Sequence, residues 1–163
     1  MPSVSLSQAN ASDIPLICTL ADTIWREHYI PMIGQPQVDY MLASMYSPES
    51  LADQMKDGHQ FYLIITNNSP AGYLSVSSQG NNEYFLHKFY VESEKQGRGL
   101  GKASFGELLG MLDDARTIRL TVNRKNYKSI NFYFRLGFII EEVKDIDIGS
   151  GFLMKDFIMT LRR

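Results

Sequence analysis

One cysteine, three histidines and almost no net charge are the scarcities that bound this 163-residue chain. Cys18 has no partner for an intramolecular disulfide, and its place in the apolar run Ile14-Pro15-Leu16-Ile17-Cys18 points to burial rather than thiol chemistry. His28, His59 and His87 are far apart, and no His-Glu-x-x-His or paired-cysteine pattern accompanies them, so no metal site is expected. The serine-hydrolase elbow Gly-x-Ser-x-Gly is also missing, which argues against a covalent acyl-serine route. With 16 basic and 18 acidic residues the net charge is -2, which supplies no broad attraction to nucleic acid or an anionic membrane. Any anion site has to be built locally. No segment approaches the ~20 apolar residues of a membrane span, and no basic stretch leads into an apolar one at the N-terminus. The expectation is a cytoplasmic protein with neither a membrane nor a nucleic acid as partner.

What is present reads as one globular domain over residues 1–163, long enough to bury roughly 70% of its unfolded surface. Ser12-Asp13 is placed to cap a helix from Ile14, with Leu16, Ile17, Leu20, Ile24 and Tyr29 recurring at helical spacing until Pro31 and Gly34 interrupt it. Further helices are expected from Pro36 to Tyr46 and after Ser47-Pro48, the latter ended by Gly58. The period then changes. Phe61 to Thr66 and Ala71 to Ser77 form a hairpin around Asn67-Asn68-Ser69-Pro70, and Tyr84 to Val91 is another strand. A glycine-rich segment and a helix to about Asp113 follow, then a strand from Ile118 to Val122 and a helix from Tyr127 to Leu136 ended by Gly137. The strand, helix, strand order implies a right-handed parallel crossover, and two final strands flank Gly149-Ser150-Gly151.

The chemistry is concentrated in Gln96-Gly97-Arg98-Gly99-Leu100-Gly101-Lys102, where three glycines lie between a strand and a helix. Backbone N–H groups converge on an anion in such a place without side chains in the way, and a diphosphate fits that description. A tight turn with helix packing is the plainer reading of the glycines alone. Two other phosphate loops are excluded by spacing. The Gly-Lys-Ser/Thr ending of a nucleotide loop is absent, and the run is Gly-x-Gly-x-Gly rather than the dinucleotide Gly-x-Gly-x-x-Gly.

With its preceding strand, Val91-Glu92-Ser93-Glu94-Lys95-Gln96-Gly97-Arg98-Gly99-Leu100-Gly101 resembles the acetyl-CoA signature Arg/Gln-x-x-Gly-x-Gly/Ala of the GCN5-related N-acetyltransferases. A second block, Asn123 to Phe138, resembles that family's Asn-x-x-Ala-x-x-x-Tyr-x-x-x-Gly-Phe helix and strand, with Ser129 in place of the common Ala. The resemblance implies an α/β fold of the α+β kind: a mixed, mostly antiparallel twisted sheet whose fourth and fifth strands splay apart, with flanking helices. It also implies an acetyl-CoA-dependent enzyme that acts on a small amine by direct transfer in a ternary complex, without metal; a sensor that binds acetyl-CoA without catalysis is the alternative. A weaker resemblance, to the bacterial polyamine acetyltransferases, rests on Gln37 to Met41, Met45 to Ser47 and Gly149 to Met159. Glu27, Asp39, Glu49, Asp145 and Asp147 are acidic residues near those segments, although scattered carboxylates usually face solvent. A homodimer is a frequent habit of the family, and the final strand offers an edge for it.

The resemblance carries roles residue by residue. Backbone groups of Phe89 and Val91 would contact the acyl arm, and the loop Gln96, Gly97, Arg98, Gly99, Leu100, Gly101 and Lys102 would hold the pyrophosphate. Asn123, Asn126 and Ser129 would border the pantetheine and the nucleotide, and Tyr133, four residues before Gly137, would protonate the departing thiolate. Histidines on the corresponding strand serve as base in arylalkylamine acetyltransferases, and His87 matches one of them, four residues before Val91; Phe85 stands where its companion would be. Strand alternation puts Phe85, His87, Phe89 and Val91 on one face unless a bulge breaks the parity. Glu83 is the rival base.

Overall fold

The structure, a computed structural model, describes residues 3–163, which divide into two compact units. The first takes the chain up to Ser77 together with Lys88–Asp113, and the second takes Ser78–His87 with Asp114–Arg163. Seven strands join in the order β1-β2-β3-β4-β5-β7-β6, so the sheet is mixed and mostly antiparallel, as expected.

In the first unit, β1 (Ser5–Gln8) pairs antiparallel with β2 (Gln60–Thr66), and β2 with β3 (Ser69–Gly80). Between β1 and β2 lie α1 (Ile14–Ile33), α2 (Gln35–Met45) and α3 (Pro48–Lys56). The cap before α1 is not Ser12-Asp13. Asn10 accepts from the Ser12 amide at 2.9 Å while the Asp13 carboxylate reaches back to the Asn10 amide, also at 2.9 Å, a reciprocal capping box around a single 3₁₀ turn. Pro31 does not stop α1, which runs on to Gly34, where φ of +86° turns the chain. Ser47 caps α3 as its sequence indicates, accepting from the Ser50 amide at 3.1 Å. Among the described residues no helix is long and apolar enough to cross a membrane.

The apolar face of α1, including Ile17, Leu20, Ala21 and Ile24, is buried. Beside it is an aromatic group drawn from four elements: Trp25 and Tyr29 of α1, Tyr46 after α2, Tyr73 of β3 and Tyr90 of β4 (Glu83–Val91). Its phenols satisfy one another where water is excluded, Tyr73 donating to the Tyr46 oxygen at 2.8 Å. Burial pushes both phenols well above the usual tyrosine range.

In the second unit, β4 and β5 (Thr117–Asn123) run parallel, paired at Glu83↔Thr117, Tyr84↔Ile118 and Phe85↔Arg119. Beyond that ladder β4 continues to Val91 and β5 to Asn123. α5 (Tyr127–Leu136) has the bounds its sequence pattern predicts, and Gly137, at φ +101°, ends it. β6 (Ile139–Gly149) and β7 (Phe152–Arg162) form an antiparallel hairpin, but β7 inserts between β5 and β6. The edge is therefore β6 and not the final strand, a correction to the sequence reading. Chain order does not reveal it, because the α5 crossover leaves a gap beside β5 that the last strand fills.

One close approach governs the end of β4. At Gly72 of β3, a Cβ would stand 2.0 Å from the Tyr90 carbonyl oxygen and 2.9 Å from the Val91 Cα. These are main-chain atoms that no rotamer change moves. Just beyond, the Glu92 amide donates to the Ala71 carbonyl at 2.8 Å and ties the end of β4 to β3. Gly72→Ala is expected to destabilise the protein by roughly 1–3 kcal/mol or more, read as a lowered urea midpoint; an unchanged midpoint contradicts the contact.

Candidate active site

The loop after β4 is braced from inside. Gln96 donates from Nε2 to the Val91 carbonyl at 2.8 Å, and the same nitrogen lies 3.0 Å from Nε2 of His28 on α1. Gln96 thus ties the loop to the strand it leaves. Gly97, Arg98 and Gly99 are exposed, and the two glycines adopt φ of +77° and +76°. Gly99 is the N-cap of α4 (Leu100–Met111), and no side chain caps that helix. The first-turn amides of α4 therefore lack a side-chain acceptor, beside a Gly97 whose missing Cβ would meet nothing within 4 Å. Open backbone with positive φ at a helix start is a good seat for a diphosphate. Leu100 is buried and anchors the helix, Gly101 is half-buried and Lys102 is exposed. Val91 is buried, while the Phe89 ring stacks at 6.4 Å on Phe105 of α4.

In the second unit, the Asn123 oxygen accepts from the Lys125 amide at 2.9 Å and the Asn126 oxygen from the Ser129 amide at 3.2 Å. Those two bonds form the turn into α5 and its N-cap. Tyr133 is 8% exposed, edge-on to Phe132 at 5.4 Å and to Phe138 at 5.5 Å. Its carbonyl accepts from the Phe138 amide at 3.0 Å, which folds the chain back over Gly137 and positions the ring.

Cross-strand partners present side chains to a common face, and that rule orders the rest of this unit. Glu83 pairs with Arg119 at 3.4 Å, and Arg119 also holds Glu141 at 2.9 Å. The Phe85 and His87 rings lie 4.9 Å apart, and Phe85 is the register partner of Arg119. Along β5, Arg119, Thr121 and Asn123 alternate with buried Ile118, Leu120 and Val122. Asp156 of β7 is the partner of Asn123 and accepts a hydrogen bond from the Thr121 hydroxyl. Glu83, Phe85, His87, Arg119, Thr121, Asn123 and Asp156 therefore share one face. Asp156 has no part in the sequence expectations, although it is an acid in an otherwise mainly apolar strand. It is 3% exposed, and burial pushes its carboxyl up to about 6 against the opposing pull of Arg124. Among the acidic residues near the segments that resemble polyamine acetyltransferases, Asp39 is held by Arg26 at 2.7 Å and Asp145 by Arg124 at 2.8 Å. Glu27 receives the Ser93 hydroxyl, and Asp147 receives the Gly149 amide.

A mixed sheet with a bare main-chain loop between its fourth strand and the following helix is the architecture of an acyl-CoA-dependent acyltransferase. The profile of the Acetyltransferase (GNAT) family matches residues 21–138, and the chain belongs to that family. It is similar to the spermidine N(1)-acetyltransferase of Thermoplasma acidophilum, 21% identical over 160 residues that cover 94% of this chain and 96% of the relative. Its fold is that of the PaiA N-acetyltransferase of Thermoplasma acidophilum in complex with coenzyme A, with TM-score 0.80, 20% identity and 99% of each chain covered. It is shared as well by the ribosomal-protein-S18-alanine N-acetyltransferase of Escherichia coli, with TM-score 0.74, 20% identity and 98% of this chain and 94% of that one covered.

Lys88, next to His87 in sequence, is another residue that sequence patterning passes over. Its ammonium donates to Gln54 Oε1 of α3 at 2.6 Å and lies 5.3 Å above the Tyr46 ring and 5.5 Å from that of Phe61. Among the described residues no ion pair is made by it, and burial pushes its ammonium down to about 8. An unfolded lysine titrates near 10.4, so the folded state binds fewer protons between about 8 and 10.4 and gains stability as pH rises through that window. Lys88→Met is expected to raise stability at pH 7 by roughly 1–2 kcal/mol and to flatten that rise in denaturant titrations from pH 7 to 10. An equally steep rise in the variant contradicts the assignment.

Proposed function

We propose that the protein transfers the acetyl group of acetyl-CoA to a primary amine of a small polyamine. The observation that carries the reading is the exposed, positive-φ loop at Gly97 and Gly99 leading into a helix without a side-chain cap. That geometry supports a diphosphate bound by main-chain amides, with Arg98 and Lys102 adding charge at its rim. Main-chain groups of Phe89 and Val91, with Asn123, Asn126 and Ser129, would serve the rest of the coenzyme. The polyamine as acceptor is supported by the curated relative, which acts on spermidine by name and aligns over nearly its whole length.

In the proposed reaction the neutral amine nitrogen attacks the thioester carbonyl and the carbon–sulfur bond breaks. The nitrogen loses its extra proton to solvent as the amide forms, from which the general acid is afterwards restored, and the thiolate leaves with a proton. Tyr133 supplies that proton. Its ring is held by Phe132 and Phe138 and by the chain reversal at Gly137. His87 takes the proton that the incoming ammonium must lose, an imidazole being basic near neutrality. Glu83 is the weaker candidate for that step, since Arg119 already engages its carboxylate.

Tyr133→Phe keeps the ring and its contacts and deletes the donor. With saturating acetyl-CoA and spermidine, thiol release is expected to fall by about 10²-fold or more while the affinity for CoA, measured by calorimetry, is unchanged. Unaltered turnover under conditions where chemistry limits the rate rejects the role.

A further inference from the structure

We infer that Asp156 is the carboxylate that holds an ammonium group of the acceptor, an inference that rests on the polyamine reading above. Three placements support it. First, Asp156 lies across the ladder from Asn123 and accepts from Thr121, on the sheet face that also carries His87. Second, Asp156 is 3% exposed, yet among the described residues no ion pair reaches it. Third, Arg124, the cation whose charge acts on the carboxyl, is committed elsewhere. Arg124 binds the Asp145 carboxylate at 2.8 Å and donates to the main-chain carbonyls of Lys144 and Asp156 at 3.2 and 3.4 Å.

An acid kept in such a place costs stability and contributes nothing that an apolar side chain would not, unless a cation completes it. A primary ammonium suits such a carboxylate: it donates up to three hydrogen bonds and carries the compensating charge. Low local dielectric makes the pair strong once formed, so Asp156 would select for a cationic acceptor rather than take part in the bond-making step.

The consequence is a linked proton. The groups that bear on the carboxyl are Arg124 from the β5–α5 turn, Thr121 and Asn123 on β5, and Lys144, its register partner on β6. In the free protein burial holds the carboxyl at about 6, half-protonated near that pH. An arriving ammonium favours the ionised form, so binding at pH 6 displaces a proton; well above pH 6 it displaces none from this group.

The test is calorimetric titration of spermidine into CoA-saturated protein at pH 6 and pH 8, each in two buffers of different ionisation enthalpy. Wild type is expected to release a fraction of a proton at pH 6 and little from this group at pH 8. Asp156→Asn is expected to lose the pH 6 release, to raise the spermidine KM at least tenfold, and to leave the acetyl-CoA KM within twofold. Thr121→Val, which replaces the hydroxyl with a methyl group of similar size, should move the release toward higher pH. Since Asn removes a desolvated charge and keeps the shape, the variant should melt no lower than wild type at pH 7. An Asp156→Asn protein with the same proton release, or with both KM values changed alike, overturns the inference. If wild type ignores spermidine but Asp156→Asn loses turnover of another cationic amine, the polyamine reading fails and the Asp156 assignment stands. If Asp156→Asn acetylates every amine as wild type does, the assignment fails and the acetyltransferase stands.

Discussion

The contact on which the proposed coenzyme site depends is the one that Gly72 permits. With no Cβ there, the Tyr90 carbonyl presses against β3, at a point where any other residue would place a carbon 2.0 Å from it. The Glu92 amide then donates to the Ala71 carbonyl, just after β4 ends at Val91. The loop starts from that point. Gln96 hooks back to the Val91 carbonyl, the 3₁₀ turn at Ser93–Lys95 spends its own amides on Glu92 and Ser93, and Gly97 and Gly99 then reverse the backbone into α4. An anion site made from amides needs such fixed geometry, because main-chain dipoles cannot reorient as a flexible lysine can. A net charge of only -2 on the chain as a whole is compatible with the proposed site, in which amides rather than net charge would provide the attraction.

The two units divide the work differently. The first is an apolar and aromatic body, with the Tyr73 to Tyr46 hydroxyl pair and Trp25 inside it, and it carries the loop. The second presents a polar sheet face in which Glu83, Arg119 and Glu141 neutralise one another, with Arg162 adding to Glu141 at 3.0 Å. Arginine's fork suits it to serve two carboxylates at once, and the Arg119 bond holds the Glu141 carboxyl below its ordinary range. Against that balanced network the isolation of Asp156 stands out. A buried acid that Thr121 reaches but, among the described residues, no ion pair does is a more specific pointer to a ligand than a cluster of exposed acids.

Much of this was legible in the residues. The helix from Tyr127 to Leu136 has both ends written in its sequence, an Asn that caps and a Gly that reverses, and its bounds match. The turn from strand to helix at Gly97 and Gly99 was legible because three closely spaced glycines after a strand have few physical uses. The misses have physical causes too. β1 is four residues of mixed polarity, Ser-Leu-Ser-Gln, too short for alternation to register. Pro31 reads as a breaker, yet it falls in the last turn of α1, where little helix remains to be lost. Strand order at the β6–β7 edge depends on which gap a crossover leaves, which no local pattern encodes. Lys88 and Asp156 look like solvent-facing charges in strands, and only the packed neighbours show that one sits over aromatic rings and the other against Thr121.

The central claim is direct transfer of an acetyl group from a coenzyme held by the Gly97–Gly99 backbone to an amine. The most direct measurement follows acetyl-CoA labelled with ¹³C at the carbonyl by NMR, with spermidine and the protein, alongside the intact mass of the protein. The account predicts that the thioester resonance decays into one amide resonance of acetylated spermidine, with one thiol released per amide and no acetyl adduct on the protein. A thioester that persists in the presence of bound protein and every amine offered would contradict it and leave a coenzyme-binding protein without transfer.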